Sequence, residues 1–239
     1  MRLDQALVER GTVKSRSRAS DLIKRGLVRV DGQVCLKASR KITNEVILAE
    51  DFQWVSRAGV KLDKALEVLT NLSVKGRVCL DLGSSTGGFS QVLLSRGAAQ
   101  VIAVDVGTNQ LDQSLLNDPR LVDRSQTDVR DLAAYEFENL PDFIVSDLSF
   151  ISLHKALPPA LGIVEKGADL IALVKPQFEV GRDALGSGGV VRNSRLAELA
   201  VINFQDWLTL QGWDCYATGY AALTGSDGNQ ESWVAAKKR

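Results

Sequence analysis

The chain has 239 residues, room for one large domain or for a standard domain with a small appendage. Its 45% hydrophobic content is ordinary for a folded soluble protein, and no apolar run approaches the ~18 residues of a membrane-spanning helix. Charges balance overall but not locally: residues 1–61 carry 13 Lys/Arg against 7 Asp/Glu, and residues 62–239 carry 16 against 22. A basic head on an acidic body predicts that the head meets a polyanion. The N-terminus has no apolar stretch of signal-peptide length, and Cys35, Cys79 and Cys215 share no metal-like spacing. They read as reduced thiols of a cytoplasmic protein.

The first segment places Leu3, Ala6, Leu7 and Val8 at helical spacing, with Gly11 as a stop. Ser15 is positioned to cap a second helix, whose apolar face is Ala19, Leu22 and Ile23 and whose end is Gly26. The other face collects Arg16, Arg18, Lys24 and Arg25, a set suited to phosphate contacts. Leu27 to Val34 then alternates around Asp31-Gly32, the signature of a hairpin turn, and a strand over 45–48 closes the unit. Two short helices followed by Val28-Arg29-Val30-Asp31-Gly32 resemble the S4-like RNA-binding domain over about residues 1–50. The resemblance implies binding to structured RNA. Residues 51–59 lack periodicity and read as a linker.

From residue 60 to 239, apolar runs alternate with helical patterns. Strands are predicted at 78–82, 101–106, 121–124, 143–146, 170–174, 215–221 and 233–236, and helices at 61–70, 88–96, 109–116, 153–166 and 194–211. Such alternation predicts an α/β domain, a mostly parallel Rossmann-like sheet with helices on both faces. No helix separates the last two strands, so an antiparallel C-terminal edge is expected, as in the methyltransferase variant of this fold.

The first strand of the body runs into Asp81-Leu82-Gly83-Ser84-Ser85-Thr86-Gly87-Gly88-Phe89. Glycines in this turn let backbone approach a nucleotide closely. The spacing is not that of a dinucleotide site, and the loop lacks the Lys-Ser/Thr ending of a P-loop. Asp81 beside it would repel pyrophosphate but suits a cationic amino-acid moiety, which points to S-adenosylmethionine. Asp105 ends the second strand, where an acid takes ribose hydroxyls. Asp128 follows the third strand, either as an adenine contact or as a helix N-cap.

Four polar residues carry the chemistry. Lys61 is predicted to open the first helix of the body, Asp147 ends the fourth strand, Lys175 ends the fifth after Ile171-Ala172-Leu173-Val174, and Glu231 precedes the last. Strand ends of this fold converge on one cleft, and a Lys following an apolar strand is costly to bury without a partner. These settings resemble the Lys-Asp-Lys-Glu tetrad of FtsJ-like ribose 2′-O-methyltransferases. With the basic N-terminal unit and the stretch Gly188-Gly189-Val190-Val191-Arg192, they resemble the TlyA family over nearly the whole chain. Members of that family are often labelled hemolysins, yet they methylate cytidine 2′-hydroxyls of ribosomal RNA. A longer lead over 181–187 and Asp128-Val129 depart from the family pattern. A short N-terminus such as this goes, within the family, with modification of the large subunit alone.

The resemblance implies in-line methyl transfer without a metal. Lys175 would assist loss of the ribose proton or steady the alkoxide, Asp147 would orient Lys175, and Lys61 with Glu231 would complete the network. His154, the single histidine, reads as a surface or capping residue, and the four tryptophans as packing. Three rivals stand beside this reading. A non-catalytic ribosome factor would not need Lys175 after an apolar strand; a nicotinamide enzyme is disfavoured by the loop; a lytic protein would need an amphipathic or spanning segment.

Overall fold

The computed structural model describes all residues except 14, 15, 25, 44, 46, 50–53 and 226, together with the side chains of 17, 18, 21, 24, 48, 49 and 182. The chain divides into two compact units, Met1–Arg57 and Ala58–Arg239.

In the first unit, α1 (Leu3–Glu9) and α2 (Arg16–Lys24) accompany a three-stranded sheet of order β2-β1-β3. Its strands are β1 (Val28–Val30), β2 (Gln33–Val34) and β3 (Ile47–Ala49), all antiparallel. The β1–β2 turn needs positive φ at both central residues, and Asp31 (51°) and Gly32 (80°) supply it. Leu3, Leu7, Leu22, Ile23, Val28 and Ile42 form the core, the apolar faces that the helical spacing marks. The expected closing strand begins later than 45, and Val46 and the expected cap Ser15 lie outside the described residues.

The second unit is a seven-stranded sheet of order β6-β5-β4-β7-β8-β10-β9. Five strands are parallel: β4 (Val78–Leu82), β5 (Gln100–Asp105), β6 (Leu121–Ser125), β7 (Phe143–Ser146) and β8 (Asp169–Val174). β10 (Ser232–Lys238) runs against both β8 and the outermost strand β9 (Trp213–Tyr220). The sequence therefore places the antiparallel element correctly at the C-terminal end of the sheet, although β10 sits one position in from the edge. Burial follows position. All six residues of β8 are buried, as a strand covered on both faces must be, whereas in β9 exposed residues alternate with the buried Trp213 and half-buried ones.

Helices α3 (Arg57–Val68), α4 (Gly88–Ser95), α5 (Gln113–Leu116), α6 (Leu153–Ala156), α7 (Pro158–Ile163), α8 (Pro176–Glu179) and α9 (Ser194–Leu210) surround the sheet. Three differ from expectation for local reasons. α3 starts four residues before 61, because Gly59 is buried within the helix and not part of a linker. The single helix expected over 153–166 breaks at Leu157, where Pro158 and Pro159 cannot continue the hydrogen-bond ladder and so open α7 instead. α5 is short because Asp112 caps it, accepting from the Ser114 N–H at 3.0 Å. Among the described residues, no helix is long and apolar enough to cross a membrane.

Candidate active site

From β4 the chain steps to β5 and β6 on one side and to β7 and β8 on the other, so the carboxyl ends of β4 and β7 flank a crevice. A cavity of about 670 Å³ opens there, lined among others by Gly83, Ser85, Asp105, Asp128, Asp147 and Phe150. Gly83 has φ +82°, and a Cβ on it would meet the Asp147 carbonyl at 3.0 Å. The glycine loop thus lies directly against the start of the segment that follows β7. Gly87 is equally constrained: φ is +87°, and an added Cβ would strike Leu115 Cδ1 at 2.4 Å.

Asp105 is held by backbone. Its Oδ2 accepts from the Ser85 N–H at 2.9 Å and its Oδ1 from the Gly107 N–H at 2.8 Å, so the carboxylate is fixed at the cavity wall. Asp128 caps the following single turn, accepting from the Arg130 N–H at 2.9 Å, and also pairs with the Arg130 guanidinium, which pulls its carboxyl down to about 2. Asp81, expected to face the cofactor amine, is fully buried and is not among the residues that line the cavity. Its Oδ2 accepts from the Ser90 hydroxyl at 2.6 Å, and burial pushes its pKa up to about 7. Its Oδ1 is buried with no hydrogen-bond partner among the described residues. Ser84, Gly88 and Phe89 are buried too, so Gly83 and Ser85 are the loop residues that line the cavity.

On the β7–β8–β10 side stand two lysine–carboxylate pairs. Lys175 Nζ lies 2.7 Å from Asp147 Oδ1 and donates to Ser149 Oγ at 2.8 Å. Lys61, one turn into α3, donates to Glu231 Oε2 at 2.6 Å, and both side chains are under 9% exposed. Burial raises the Glu231 pKa; Lys61 and then Lys175 draw it down, and Asp147 pushes it up. All four groups therefore share one electrostatic network. The backbone explains their convergence: Asp147 and Lys175 follow adjacent parallel strands, and Glu231 precedes the strand antiparallel to β8.

The sequence does not single out Gln110, Arg130, Ser149, Phe150 or Lys155, which also border the cavity. Ser149 and Phe150 had a signal, since they directly follow a strand's carboxyl end. Phe150 is 92% exposed with φ +68°, an unusual conformation for a bulky side chain, and its ring lies 5.4 Å from that of Phe178. His154 is half-buried, its ring tilted against that of Trp207 at 5.0 Å between centroids. In the first unit, Arg16 is exposed yet bonded to the buried Asp4 at 3.0 Å. The side chains of Arg18 and Lys24, and all of Arg25, lie outside the described residues.

A sheet of this order, with a glycine turn after its first strand and an acid ending its second, defines the class of Rossmann-like methyltransferases. Residues 54–238 match the FtsJ-like methyltransferase family, and residues 1–46 match the S4 domain. The chain belongs to the FtsJ-like methyltransferase family. It is 43% identical to the 16S/23S rRNA (cytidine-2′-O)-methyltransferase TlyA of Mycobacterium tuberculosis, over 98% of this chain and 88% of that one. It is 32% identical to the 23S rRNA (cytidine-2′-O)-methyltransferase TlyA of Campylobacter jejuni, over 97% of each. A solved structure from Streptococcus thermophilus, provisionally named a hemolysin, matches at 37% identity with a TM-score of 0.79, covering 100% of this chain and 88% of that chain.

Proposed function

We propose that the protein transfers a methyl group from S-adenosylmethionine to the 2′-hydroxyl of a cytidine in ribosomal RNA. The observation that carries this reading is the two lysine–carboxylate contacts at the strand ends, one buried and one half-buried, beside a cavity with a glycine turn and a backbone-fixed acid. The named activities of the relatives support it.

The cavity fits the cofactor. Its volume is that of a typical small-molecule site, Gly83 leaves the wall open to backbone approach, and the acids Asp105, Asp128 and Asp147 suit a cationic ligand. Gly83, Ser85, Asp105 and Asp128 would hold it, with Asp105 taking ribose hydroxyls. Asp81, Ser84, Gly87, Gly88 and Phe89 would shape the loop. When bound, the cofactor supplies an electrophilic methyl on a sulfonium.

A ribose hydroxyl is a poor nucleophile at neutral pH, so this chain must help its proton leave. Lys175, held by Asp147 and Ser149, takes the 2′-hydroxyl proton on Nζ, and the ammonium so formed steadies the oxygen and stays paired with Asp147. Lys61 and Glu231 hold the other wall and position the sugar. Phe150 offers an exposed face for a base to stack on. In the S4 segment, Arg16, Arg18, Lys24 and Arg25 neutralise phosphates. A ribosomal substrate puts this work in the cytoplasm.

The test is incubation of the protein and labelled S-adenosylmethionine with unmodified small and large ribosomal subunits. Label recovered as 2′-O-methylcytidine is expected, in the RNA of one subunit or of both. Label on a base, or none despite binding of RNA and cofactor, would overturn the reading.

A further inference from the structure

The segments that carry Lys175 and Asp147 each run directly into a short helix. After β7 come residues 147–152 and then α6; after Lys175 comes α8. Ser152 is the N-cap of α6, yet its side chain makes no capping bond. The Leu153 N–H at the first helical position donates to Glu179 Oε1 at 2.9 Å, from the last residue of α8. The other oxygen, Oε2, lies 3.4 Å from His154 Nδ1, whose ring is held against Trp207 and Phe204.

This carboxylate is an expensive way to cap a helix. Its side chain is 4% exposed, and burial raises its pKa, offset by the Leu153 N–H and by His154. A hydroxyl at the N-cap Ser152 could serve the N–H groups of His154 or Lys155 but not that of Leu153, which Glu179 satisfies from another segment. What Glu179 does, and a local cap would not, is tie α8 to α6. The two segments then meet at three successive places. Lys175 meets Asp147 and Ser149, Phe178 meets Phe150 at 5.4 Å between centroids, and Glu179 meets Leu153 and His154. The last contact fixes how far α8 can slide along the β7 segment, and so how Lys175 faces Asp147.

We propose that Glu179 is a positioning residue for the methyl-transfer step, acting through the register of Lys175 against Asp147. This role rests on the methyl-transfer reading above. It predicts a defect in the rate of chemistry and not in binding, because Glu179 is not among the residues lining the cavity.

The experiment compares full-length wild type, Glu179→Ala and Glu179→Gln on unmodified ribosomal subunits with labelled S-adenosylmethionine, measuring kcat, both KM values and Tm. Glu179→Ala is expected to lose about 10²-fold in kcat, the cost of a small misplacement, with both KM values unchanged. Glu179→Gln still accepts from the Leu153 N–H and should recover most of that loss. If Glu179→Ala does not fold, Glu179→Asp, shorter by one methylene, should show the same kcat loss at unchanged KM. Unchanged kcat in the Ala variant (or in Asp where Ala does not fold), or losses in Ala and Gln that simply follow Tm, would overturn the role. Inactive wild type would instead overturn the methyl-transfer reading, and this role with it.

Discussion

The two sides of the cleft are built from different materials. On the β4–β5 side, backbone does the positioning: Gly83 clears the wall, and Asp105 is locked by the N–H groups of Ser85 and Gly107. On the β7–β8–β10 side, charged side chains pair across the sheet, joining residues 170 positions apart in the case of Lys61 and Glu231. A backbone-built site tolerates side-chain change unless a conformation is broken. A site built from buried ion pairs fails when one partner is lost, since the other charge is left stranded.

The largest effect should follow Lys175→Ala. Methyl transfer is expected to fall about 10²–10⁴-fold while cofactor affinity, measured by calorimetry, holds. Next comes Glu231→Ala, which leaves Lys61 buried and unpaired. Urea unfolding should show a loss of about 3–5 kcal/mol, whereas replacing both partners with apolar residues of similar size should restore stability but not activity. On the backbone side, Gly87→Ala must adopt φ +87° and crowd Leu115, so thermal unfolding should show a loss of about 1–3 kcal/mol with weaker cofactor binding. Phe150→Ala should weaken RNA binding by about 1–3 kcal/mol, read as a higher KM for RNA, and leave cofactor binding alone.

A pH-dependent effect distinguishes the buried acid of β4. Folded Asp81 has a pKa of about 7 against about 4 when unfolded, so between those values the folded protein holds a proton that the unfolded chain has lost. Its contribution to stability is therefore present at low pH and fades as pH rises toward 7. Asp81→Asn should flatten the decline in Tm between pH 4 and 7, the window those two values bound.

These two kinds of construction also explain what the sequence reveals. The strands were legible because parallel strands covered on both faces read as apolar runs, and Val78–Leu82 and Phe143–Ser146 match their expected bounds. Lys175 stood out because a charge ending such a run must have a destination, and the neighbouring strand end offered Asp147. Pairing of Lys61 with Glu231 rather than with either of the others needed the insertion of β10 beside β8, which no local pattern encodes. Asp81 is ambiguous in sequence because acids beside glycine turns look alike. Its complete burial and the Ser90 hydroxyl on Oδ2 come from packing that no local pattern encodes. Glu179 was invisible for a related reason: its partners are a backbone N–H and a histidine on another segment, brought near by packing.

The central claim is that Lys175 and Asp147 act as one catalytic unit. A double-mutant cycle on the single-turnover rate of methyl transfer, with Lys175→Ala, Asp147→Ala and the double variant, tests it most directly. The account predicts that the double variant is no slower than the worse single one, because either change dismantles the same pair. Rate losses that multiply would mean that the two residues work independently, and would contradict it.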